Sequence, residues 1–593
     1  MKGSCLPILS WLLLAGTGCL AQRSGLAETH GLARRGVDNP GPENFIRYRY
    51  PTVVTLGNYV YIDGGELSQK ENGTVATNST QSGQTYPSYA VNSTLSLNLS
   101  ESWTNETARF QVIPKTAPLL DQQIYWSDAS TNGFYTWGGM AVGSESPPAN
   151  ELWLFNADGA GAGTWAQVTQ GDFRDFSQLY RPVGASFTQS GHVGYAFGGQ
   201  ATSQTDRSIQ KPYPGYALPG LVSYNFQTGD WTNTSTSKYQ GYGTSVNGRA
   251  EYVPFGSDGL LLFFAGAETP IDIIEDSTVQ INWNKVTLFN PITGKWYTQE
   301  TSGMRPQLVE RACSVGVRGP NSTYEIYLYG GTSIQLGGTS SDVYVLSLPG
   351  FVFFKSQMQG TPRADHACAV VGNGKRQMLS FGGVDGGPEL QSSLTTPDPW
   401  KQGLGIYDMS EMTWKDSYDP DAADYETPNV VMEWYRNGGM ENISWDSNEV
   451  KGLFFNSSSA TIGAGVNSTD GSSGNSSRKT GIIAGSTVGG VVVLAIVGGV
   501  VFSLIRRKRR NQYRRPSTTT EIISEYRPEP WPKDSPRLRS VTPGTMVSSP
   551  TPTEPIEISG TAREELPAED VGWTYELPAH TPNMRSELPD RNF

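Results

Sequence analysis

The chain has 593 residues, among them 68 glycines, 15 tryptophans and 28 tyrosines, and only 17% of its residues are charged. This composition is too aromatic for a disordered protein and too rich in glycine and tryptophan for a helical one, so it favours a turn-rich all-β fold. The formal net charge is −12, and the acidic excess lies before residue 506, which argues against a nucleic-acid-binding protein.

The N-terminus carries the features of a secretory signal. Lys2 is followed by an apolar run and then by small residues, a pattern that predicts a signal peptide over residues 1–21. An N-terminal membrane anchor is the alternative, but the run is too short to span a bilayer. Residues 22–44 form an N-terminal segment in which the pair Arg34 and Arg35 either ends a propeptide or is an ordinary solvated pair.

A repeated pattern fills residues 45–455. A short hydrophobic strand ends in a glycine doublet six times, with Ala265 in place of the first glycine of the fourth unit. The doublets comprise Gly64, Gly65, Gly138, Gly139, Gly198, Gly199, Gly266, Gly330, Gly331, Gly382 and Gly383. A second apolar strand and a turn follow each doublet. An aromatic residue then comes next, namely Trp103, Trp165, Trp231, Trp296, Trp414 or, in the fifth unit, Phe353 and Phe354.

Each unit is interpreted as four short strands, because its apolar runs, bounded by Gly, Asn or Asp, are too short for buried helices. In the third unit the strands are expected at residues 183–188, 193–197, 221–226 and 231–234. One such sheet cannot bury both of its faces, whereas six sheets stacked around an axis can. Residues 45–455 are therefore predicted to form an all-β, six-bladed β-propeller, with a short helix over residues 428–436.

This pattern resembles the kelch repeat of β-propeller proteins. The matching features are the glycine doublet after an aromatic strand, the Tyr- or Phe-containing strand next to it, and the tryptophan shortly afterwards, as in Phe289–Trp296 and Ile406–Trp414. Arg363–His366 also resembles the opening of a kelch unit. The resemblance implies that the doublets and tryptophans are structural, and the whole layout is similar to fungal kelch-containing proteins anchored in a membrane or cell wall.

The chain changes character after the repeats. Residues 456–480 are rich in Ser, Asn, Gly and Thr and are predicted to form a flexible stalk. Residues 481–505 are uncharged and are followed by a basic cluster, which predicts one transmembrane helix and a disordered cytoplasmic tail over residues 506–593. A buried core helix is the alternative to the span. The expectation is a type I single-pass protein of the plasma membrane with an extracellular propeller.

Candidate modification sites agree with this topology. The N-x-S/T sequons are Asn72, Asn78, Asn92, Asn98, Asn105, Asn233, Asn321, Asn442, Asn456, Asn467 and Asn475, all before residue 481. The Ser/Thr-Pro pairs of the tail, which suit proline-directed kinases, are Ser535, Thr542, Ser549, Thr551 and Thr581. Cytoplasmic kinases or polarity proteins are therefore candidate partners of the tail.

Few residues point to catalysis. Galactose oxidase, a kelch-like propeller, holds copper with two His and two Tyr, but here His192 and His366 are expected at opposite faces, on the order of 15 Å apart. No nucleophile elbow, H-E-x-x-H motif or phosphate loop is present, and no catalytic, metal or cofactor residue is assigned. The carboxylates Glu66, Glu268 and Asp385 are interpreted as solvated loop residues, with a glycosidase pair as the open alternative.

Two cysteines remain after removal of the signal peptide. Cys313 and Cys368 occupy matching positions in neighbouring units. A disulfide needs Cα atoms within about 7 Å, and adjacent inner strands of a propeller are often farther apart. Two buried free thiols are therefore predicted in preference to a disulfide.

These observations predict a non-catalytic recognition glycoprotein of the cell surface. Loops on a rigid propeller face form a broad binding surface, and the expected partner is a wall polysaccharide or another surface protein. Two alternatives stay open: a carbohydrate-active propeller enzyme, oxidase- or glycosidase-like, and a structural tether between wall and membrane. No cofactor and no nucleic-acid partner is expected.

Overall fold

The structure is a computed structural model that describes residues 40–79, 85–142, 146–171, 173–212, 214–257, 259–273, 277–385 and 393–455. Within these residues the fold is all-β, as the repeat predicts. Six antiparallel sheets of four principal strands follow one another along the chain, and each sheet is built from strands that are consecutive within its blade. This is the arrangement of a six-bladed propeller.

The blades have the following strands, given from the first to the fourth. Blade 1 has Thr52–Leu56, Tyr59–Asp63, Ser93–Asn98 and Phe110–Pro114; blade 2 has Leu120–Asp128, Gly133–Ala141, Trp153–Ala157 and Gly163–Gln167; blade 3 has Ser186–Ser190, Val193–Phe197, Leu221–Asn225 and Trp231–Thr234. Blade 4 has Arg249–Val253, Leu260–Phe264, Lys285–Asn290 and Lys295–Glu300; blade 5 has Cys313–Arg318, Tyr324–Tyr329, Val343–Leu348 and Val352–Lys355; blade 6 has Ala367–Val371, Gln377–Phe381, Leu404–Asp408 and Thr413–Lys415.

The first strands surround the propeller axis. Each contacts the first strand of the next blade, and the first strand of blade 6 contacts that of blade 1, which closes the ring. The hydrophobic core is divided among the seams between neighbouring blades. Ile62 of blade 1 and Leu379 of blade 6 share one cluster, and Leu262 of blade 4 and Ile326 of blade 5 share another. A blade therefore buries its faces only when its neighbours are in place.

The glycine doublets are the joints between blades. The second glycine of each doublet donates its backbone N–H to a carbonyl at the start of the next blade. These bonds run from Gly65 to Leu120 (3.2 Å), Gly139 to Pro182 (2.7 Å), Gly199 to Ser245 (2.7 Å), Gly266 to Val309 (2.9 Å), Gly331 to Arg363 (2.9 Å) and Gly383 to Tyr48 (2.6 Å). The six donors have φ between 79° and 99°, a left-handed conformation that glycine adopts at little cost. The sixth bond joins the two ends of the propeller.

The repeat aromatics occupy the outermost strands of five blades. Trp165, Trp231, Trp296 and Trp414 lie in the fourth strands of blades 2, 3, 4 and 6, and Phe353 and Phe354 take that place in blade 5. Trp165 packs against Phe134 of its own blade at 5.5 Å between ring centroids and donates to Thr94 of blade 1. Trp103 differs, because it lies in the strand pair Trp103–Thr104 with Ser417–Tyr418 and stacks on Tyr418.

After blade 6 the chain returns to blades 4 and 5. It forms the helix Asn429–Arg436, which confirms the helix predicted there, then the 3-10 turn Gly439–Asn442 and the helix Asn448–Phe455. Phe454 packs against Phe255 of the loop in blade 4 and Phe351 of blade 5, with centroid distances of 4.8 and 4.9 Å. This C-terminal segment therefore covers the outer edge of the seam between blades 4 and 5.

Short elements fill the loops. The additional strands are Phe45–Arg49, Glu66–Glu71, Thr74–Val75, Asn78–Ser79, Thr85–Tyr86, Tyr89–Ala90, Trp103–Thr104, Gln200–Ala201, Tyr216–Ala217, Ala267–Glu268, Val279–Gln280, Ser302–Gly303, Thr332–Ser333, Gly338–Thr339 and Ser417–Tyr418, and the short helical turns are Phe173–Phe176 and Lys401–Gly403. The strand Phe45–Arg49 pairs with Glu66–Glu71 and places the residues before blade 1 against blade 6.

The expected fold class included a transmembrane helix, and that part needs correction. In the described part of the chain no helix is long and apolar enough to cross a bilayer. The two longest helices in these ranges have eight residues each. Residues 481–505, where the span was expected, lie outside the described residues, together with the signal peptide, the stalk and the tail.

The prediction of two free thiols is wrong. Cys313 and Cys368 form a disulfide, and their Cα atoms are 5.6 Å apart. They belong to the first strands of blades 5 and 6, which converge at the narrow axis, so the separation falls within the ordinary range for disulfides. The bond joins the seam between these two blades covalently.

Candidate functional site

A cavity of about 310 Å³ lies on the propeller axis and is lined by residues from all six blades. Residues of the first strands, and the residues just before them, form its wall. The lining contains hydroxyl, carboxamide, guanidinium and carboxylate groups rather than a continuous apolar surface. It is therefore the place where every repeat contributes a side chain to one site.

The mouth of this cavity is formed by six residues in equivalent positions, one from each blade, which we call the axial ring. The ring consists of Tyr50, Gln122, Gly184, Asn247, Arg311 and Asp365. All six have left-handed backbone conformations, with φ between 52° and 67°. Only one is a glycine, and such conformations cost other residues on the order of 1–3 kcal/mol each. Strained residues of this kind cluster at ligand sites, which makes the ring the strongest candidate site in the described residues.

Backbone hydrogen bonds connect most of the axial ring. The N–H of Asn247 donates to the carbonyl of Gly184 at 2.8 Å, and Arg311 donates to Asn247 at 3.0 Å. Asp365 donates to Arg311 at 3.1 Å, and Tyr50 donates to Asp365 at 2.8 Å. These bonds join four consecutive seams at the mouth of the cavity. They fix the backbone of the ring and so the directions in which its side chains project.

Charged and aromatic groups meet on one side of the ring. Arg311 Nη1 donates to Tyr50 Oη and to Asp365 Oδ2, both at 3.3 Å. The guanidinium of Arg49 lies over the Tyr50 ring, 4.8 Å from its centroid. Burial raises the pKa of the Tyr50 hydroxyl, and the Asp365 carboxylate raises it further. Tyr50 therefore stays a neutral phenol that can donate or accept a hydrogen bond.

Carboxamides converge on the other side. A Cβ atom built on Gly184 would lie 2.5 Å from Asn247 Oδ1 and 3.3 Å from Gln122 Oε1. A side chain at this position would therefore displace the carboxamide of Asn247, whereas glycine leaves it room. The amide of Asn247 is oriented by its Nδ2, which donates to Glu310 Oε2 at 3.0 Å. Its oxygen is directed to the space beside Gly184.

A second pair of charged residues lies deeper in the cavity, on the first strand of blade 4. Arg249 donates through Nε to the carbonyl of Ala312, and Glu251 accepts from Ser314 Oγ at 2.7 Å. Burial lowers the pKa of Arg249 to about 10, with Asp365 and Glu251 acting in the opposite direction. Burial raises the pKa of Glu251 to about 7, and Ser314 and Arg249 oppose that rise. The deep wall thus offers a cation and a carboxyl group that titrates near neutrality.

The two histidines considered in the sequence lie in different places. His192 is exposed in the turn between the first two strands of blade 3, whereas His366 is buried on the cavity wall just before the first strand of blade 6. Of the carboxylates near the doublets, Glu66 is not solvated but buried and paired with Arg49 at 3.2 Å. Glu268 accepts from the backbone N–H of Gly241 at 2.7 Å.

The sequons are distributed over the propeller surface. Asn72, Asn233, Asn321 and Asn442 are exposed, whereas Asn92, Asn98 and Asn105 are half-buried. Asn78 lies in a two-residue strand of blade 1. The remaining candidates, Asn456, Asn467 and Asn475, and the phosphorylation candidates Ser535, Thr542, Ser549, Thr551 and Thr581, lie outside the described residues.

The axial ring was not predicted from the sequence. The two cysteines, read as matching positions, are offset by one residue: Cys313 is equivalent to Ala367, since each opens its first strand and pairs with the residue before a glycine doublet. The first hairpins differ in length from blade to blade, so counting back from the glycine doublets does not align the ring. If the six units were aligned on their first strands, the axial-ring residues would fall in one column. That column holds six different residue types, whereas the doublet columns hold almost only glycine.

Comparison with known proteins gave one curated relative and a solved structure. A kelch repeat-containing protein of Arthroderma benhamiae is 24% identical over 457 residues, which cover 70% of this chain and 63% of the relative. The chain thus spans less than two thirds of that protein's length. The solved structure of YjhT is 13% identical, with a TM-score of 0.39, over 62% of this chain and 97% of YjhT. No family model matches the chain.

Proposed function

We propose that this chain, which resembles the kelch-repeat propellers, is a non-catalytic recognition protein whose axial cavity binds the end of a neutral polysaccharide outside the cell. The observation that carries this proposal is the axial ring. Five non-glycine residues are held there in left-handed conformations with their functional groups at the mouth of one cavity. Such strain persists where the surrounding structure fixes it for function.

The chemistry of the cavity suits a polyhydroxylated ligand. The lining holds Arg249 and Arg311 together with Glu251 and Asp365, and Arg311 is paired with Asp365, so the cavity presents groups of both charges rather than an excess of one. Hydroxyl, carboxamide and paired charged groups both donate and accept hydrogen bonds, as sugar hydroxyls do. At about 310 Å³ the cavity is at the small end of ligand pockets, which favours a chain end over a long segment.

An extracellular location is part of the proposal. The disulfide between Cys313 and Cys368 is typical of proteins that fold in an oxidising compartment. Four sequons, at Asn72, Asn233, Asn321 and Asn442, are exposed and so are accessible for glycosylation. Treatment of the protein from its native cells with an endoglycosidase is expected to lower its apparent mass; an unchanged mass would contradict export through the secretory pathway.

The test is a pull-down of residues 36–455 with insoluble wall polysaccharides, in which the unbound fraction is quantified. We expect depletion onto one neutral polymer, and at least about tenfold weaker binding for Arg311→Gln, because loss of a charge-assisted hydrogen bond costs about 1.5–3 kcal/mol. Arg174→Gln is the matched control, since its side chain is 90% exposed. Equal binding by both variants would contradict the site, and no depletion on any polymer would instead direct the search to a surface protein.

One observation favours a second function, hydrolysis of the bound carbohydrate. Glu251, with its pKa raised to about 7, has the property of a general acid, and Asp365 supplies a second carboxyl group to the lining of the same cavity. Glycosidases use two such groups. Release of reducing ends from the bound polymer, abolished by Glu251→Gln with binding retained, would replace the non-catalytic proposal; retained polymer without release of reducing ends would exclude it.

A further inference from the structure

Three potential metal ligands meet on the wall of the axial cavity. Cys313 Sγ, Cys368 Sγ and a ring nitrogen of His366 all lie within 4.8 Å of one another. The sulfur atoms are joined in the disulfide and in that form are poor ligands, because metals bind the thiolate. The cluster is nevertheless the one group of three such side chains that the described ranges contain.

His366 supplies the independent observation. Its side chain is buried, with 2% exposure, and neither Nδ1 nor Nε2 has a hydrogen-bond partner among the described residues. Buried polar atoms without a partner are rare in proteins, because leaving one unsatisfied destabilises the fold. His366 is thus a buried neutral imidazole without a well-formed hydrogen bond; burial lowers its pKa, and the Tyr329 backbone opposes that lowering.

The imidazole is also fixed in place. A Cβ atom on Gly330 would lie 2.9 Å from His366 Cε1, and one on Gly383 would lie 2.8 Å from His366 Cβ. The ring of Tyr329 packs edge-on against it, with centroids 5.0 Å apart. Since two doublet glycines and a tyrosine surround it, the ring is held beside the sulfur atoms and loses little further freedom when it binds a ligand.

The geometry points to a thiolate and imidazole site for Zn²⁺ that forms when the Cys313–Cys368 disulfide is reduced. A dithiol or phosphine reductant supplies two electrons, and with two protons from water the S–S bond becomes two thiols. Zn²⁺ then replaces both thiol protons, which are released, and His366 donates a nitrogen lone pair. The site has three protein ligands, and its fourth position opens into the axial cavity. This inference does not depend on the proposed carbohydrate function.

The spacing permits such a site. Zn–S bonds of about 2.3 Å and Zn–N bonds of about 2.0 Å in a tetrahedron separate the two sulfur atoms by about 3.8 Å. The Cα atoms of Cys313 and Cys368 are 5.6 Å apart, so side-chain rotation after cleavage can bring about that separation. Two thiolates and one imidazole, with an open fourth position, form a donor set that zinc enzymes use.

The experiment uses the full chain with Cys5→Ser and Cys19→Ser, so that Cys313 and Cys368 are its only cysteines. The protein is reduced without oxygen, freed of reductant and titrated with Zn²⁺, and bound metal is measured by elemental analysis. We expect one Zn²⁺ per reduced chain and none per oxidised chain. Co²⁺ in place of Zn²⁺ is expected to give a thiolate-to-cobalt charge-transfer band, and oxidised glutathione is expected to release the metal.

His366→Ala tests the third ligand, and His192→Ala, in an exposed turn, is its matched control. The first variant is expected to bind Zn²⁺ at least tenfold more weakly, whereas the second binds it as the parent does. Circular dichroism of each reduced protein checks that it remains folded. A reduced, folded parent that binds no Zn²⁺ would overturn the proposal, and so would equal affinities for the two histidine variants.

Discussion

Two neighbouring seams of the propeller are held together in different ways. At the seam between blades 6 and 1, where the ends of the propeller meet, buried ions join the blades. At the seam between blades 5 and 6, the disulfide joins the first strands, the Arg311–Asp365 pair joins their ends at the axial ring, and neutral tyrosines join the outer part. Both seams bury a hydrophobic cluster. They differ in the polar and covalent interactions that accompany this packing.

Asp398 is the centre of the first seam. It pairs with Arg363 at 3.0 Å, with both side chains fully buried, and with Arg47 at 3.6 Å. Its backbone N–H donates to the carbonyl of Ile46 at 2.8 Å. One carboxylate of blade 6 thereby contacts both its own blade and the strand that leads into blade 1.

Tyrosines dominate the second seam. Tyr327 Oη of blade 5 donates to the carbonyl of Met409 of blade 6 at 2.6 Å and lies 3.1 Å from Tyr425 Oη. Tyr425 in turn donates to Glu325 Oε2 at 3.1 Å. The comparison teaches that the same repeat can be closed by a fully buried ion cluster where the chain ends meet. Where the chain is continuous, a covalent bond and neutral hydroxyls join the blades, together with the Arg311–Asp365 pair of the axial ring.

The largest effect is expected from Asp398→Asn, which leaves Arg363 and Arg47 buried without a counter-charge. The free energy of unfolding is expected to fall by about 3–5 kcal/mol, measured by urea denaturation. The control is Glu411→Gln, which removes a half-exposed carboxylate from the pair with Lys415 and should cost no more than about 1 kcal/mol. Similar losses in the two variants would mean that the buried ions do not close the ring.

The second seam is expected to respond to pH. Burial raises the pKa of Glu325 from 4.5 to about 7, although the hydrogen bonds of Ser347 and Tyr425 oppose that rise. Between these pH values the folded protein holds a proton that the unfolded chain has lost. Stability should therefore fall as pH rises through this window, by on the order of 3 kcal/mol for this group.

Urea denaturation between pH 4.5 and pH 8 measures this dependence, and Glu325→Gln should flatten it. Glu251, with its pKa also raised to about 7, contributes a slope of the same sign. The single variant should consequently remove part of the dependence, and the double variant with Glu251→Gln should remove more. A slope unchanged in Glu325→Gln would show that this carboxyl group ionises normally.

Removal of the disulfide is the next test. The double variant Cys313→Ser and Cys368→Ser should lower the free energy of unfolding by about 2–4 kcal/mol, mainly because the unfolded chain regains freedom. Denaturation of this variant and of the parent, with and without reductant, gives the value. Reductant should destabilise only the parent, and a loss of stability in the variant on adding reductant would implicate other groups.

The smallest losses of stability are expected from alanine substitutions of equivalent doublet glycines, one at each seam. Gly383→Ala at the first seam and Gly331→Ala at the second both force alanine into φ above 90°, at a cost of about 1–3 kcal/mol each. Gly57→Ala is the control for backbone strain outside a seam, because its φ is also positive, at 56°, while its Cβ would meet nothing within 4 Å. Hydrogen exchange should increase around Trp103 and Tyr418 in Gly383→Ala, whereas the disulfide should limit the change in Gly331→Ala. Equal protection in both variants would contradict the comparison.

Much of this fold was predictable, because glycine doublets and short strands are local signals. The second and fourth strands of blade 3 begin and end at the expected residues, 193–197 and 231–234. The disulfide and the axial ring were not predictable in this way, since they depend on how closely first strands converge at the axis. Arg311 and Asp365 are 54 residues apart in the chain, and no local pattern records that they meet.

The order of strands within the blades has a consequence for synthesis. Each four-stranded sheet is formed by one continuous segment of the chain. The strands of a blade can therefore pair with one another without a strand from the other end of the chain. Blades can form one after another as the polypeptide leaves the ribosome, and neighbours can stack in the same order. The bond from Gly383 to the carbonyl of Tyr48 is then among the last to form, so the unfinished ring exposes the apolar face of blade 1 until blade 6 arrives.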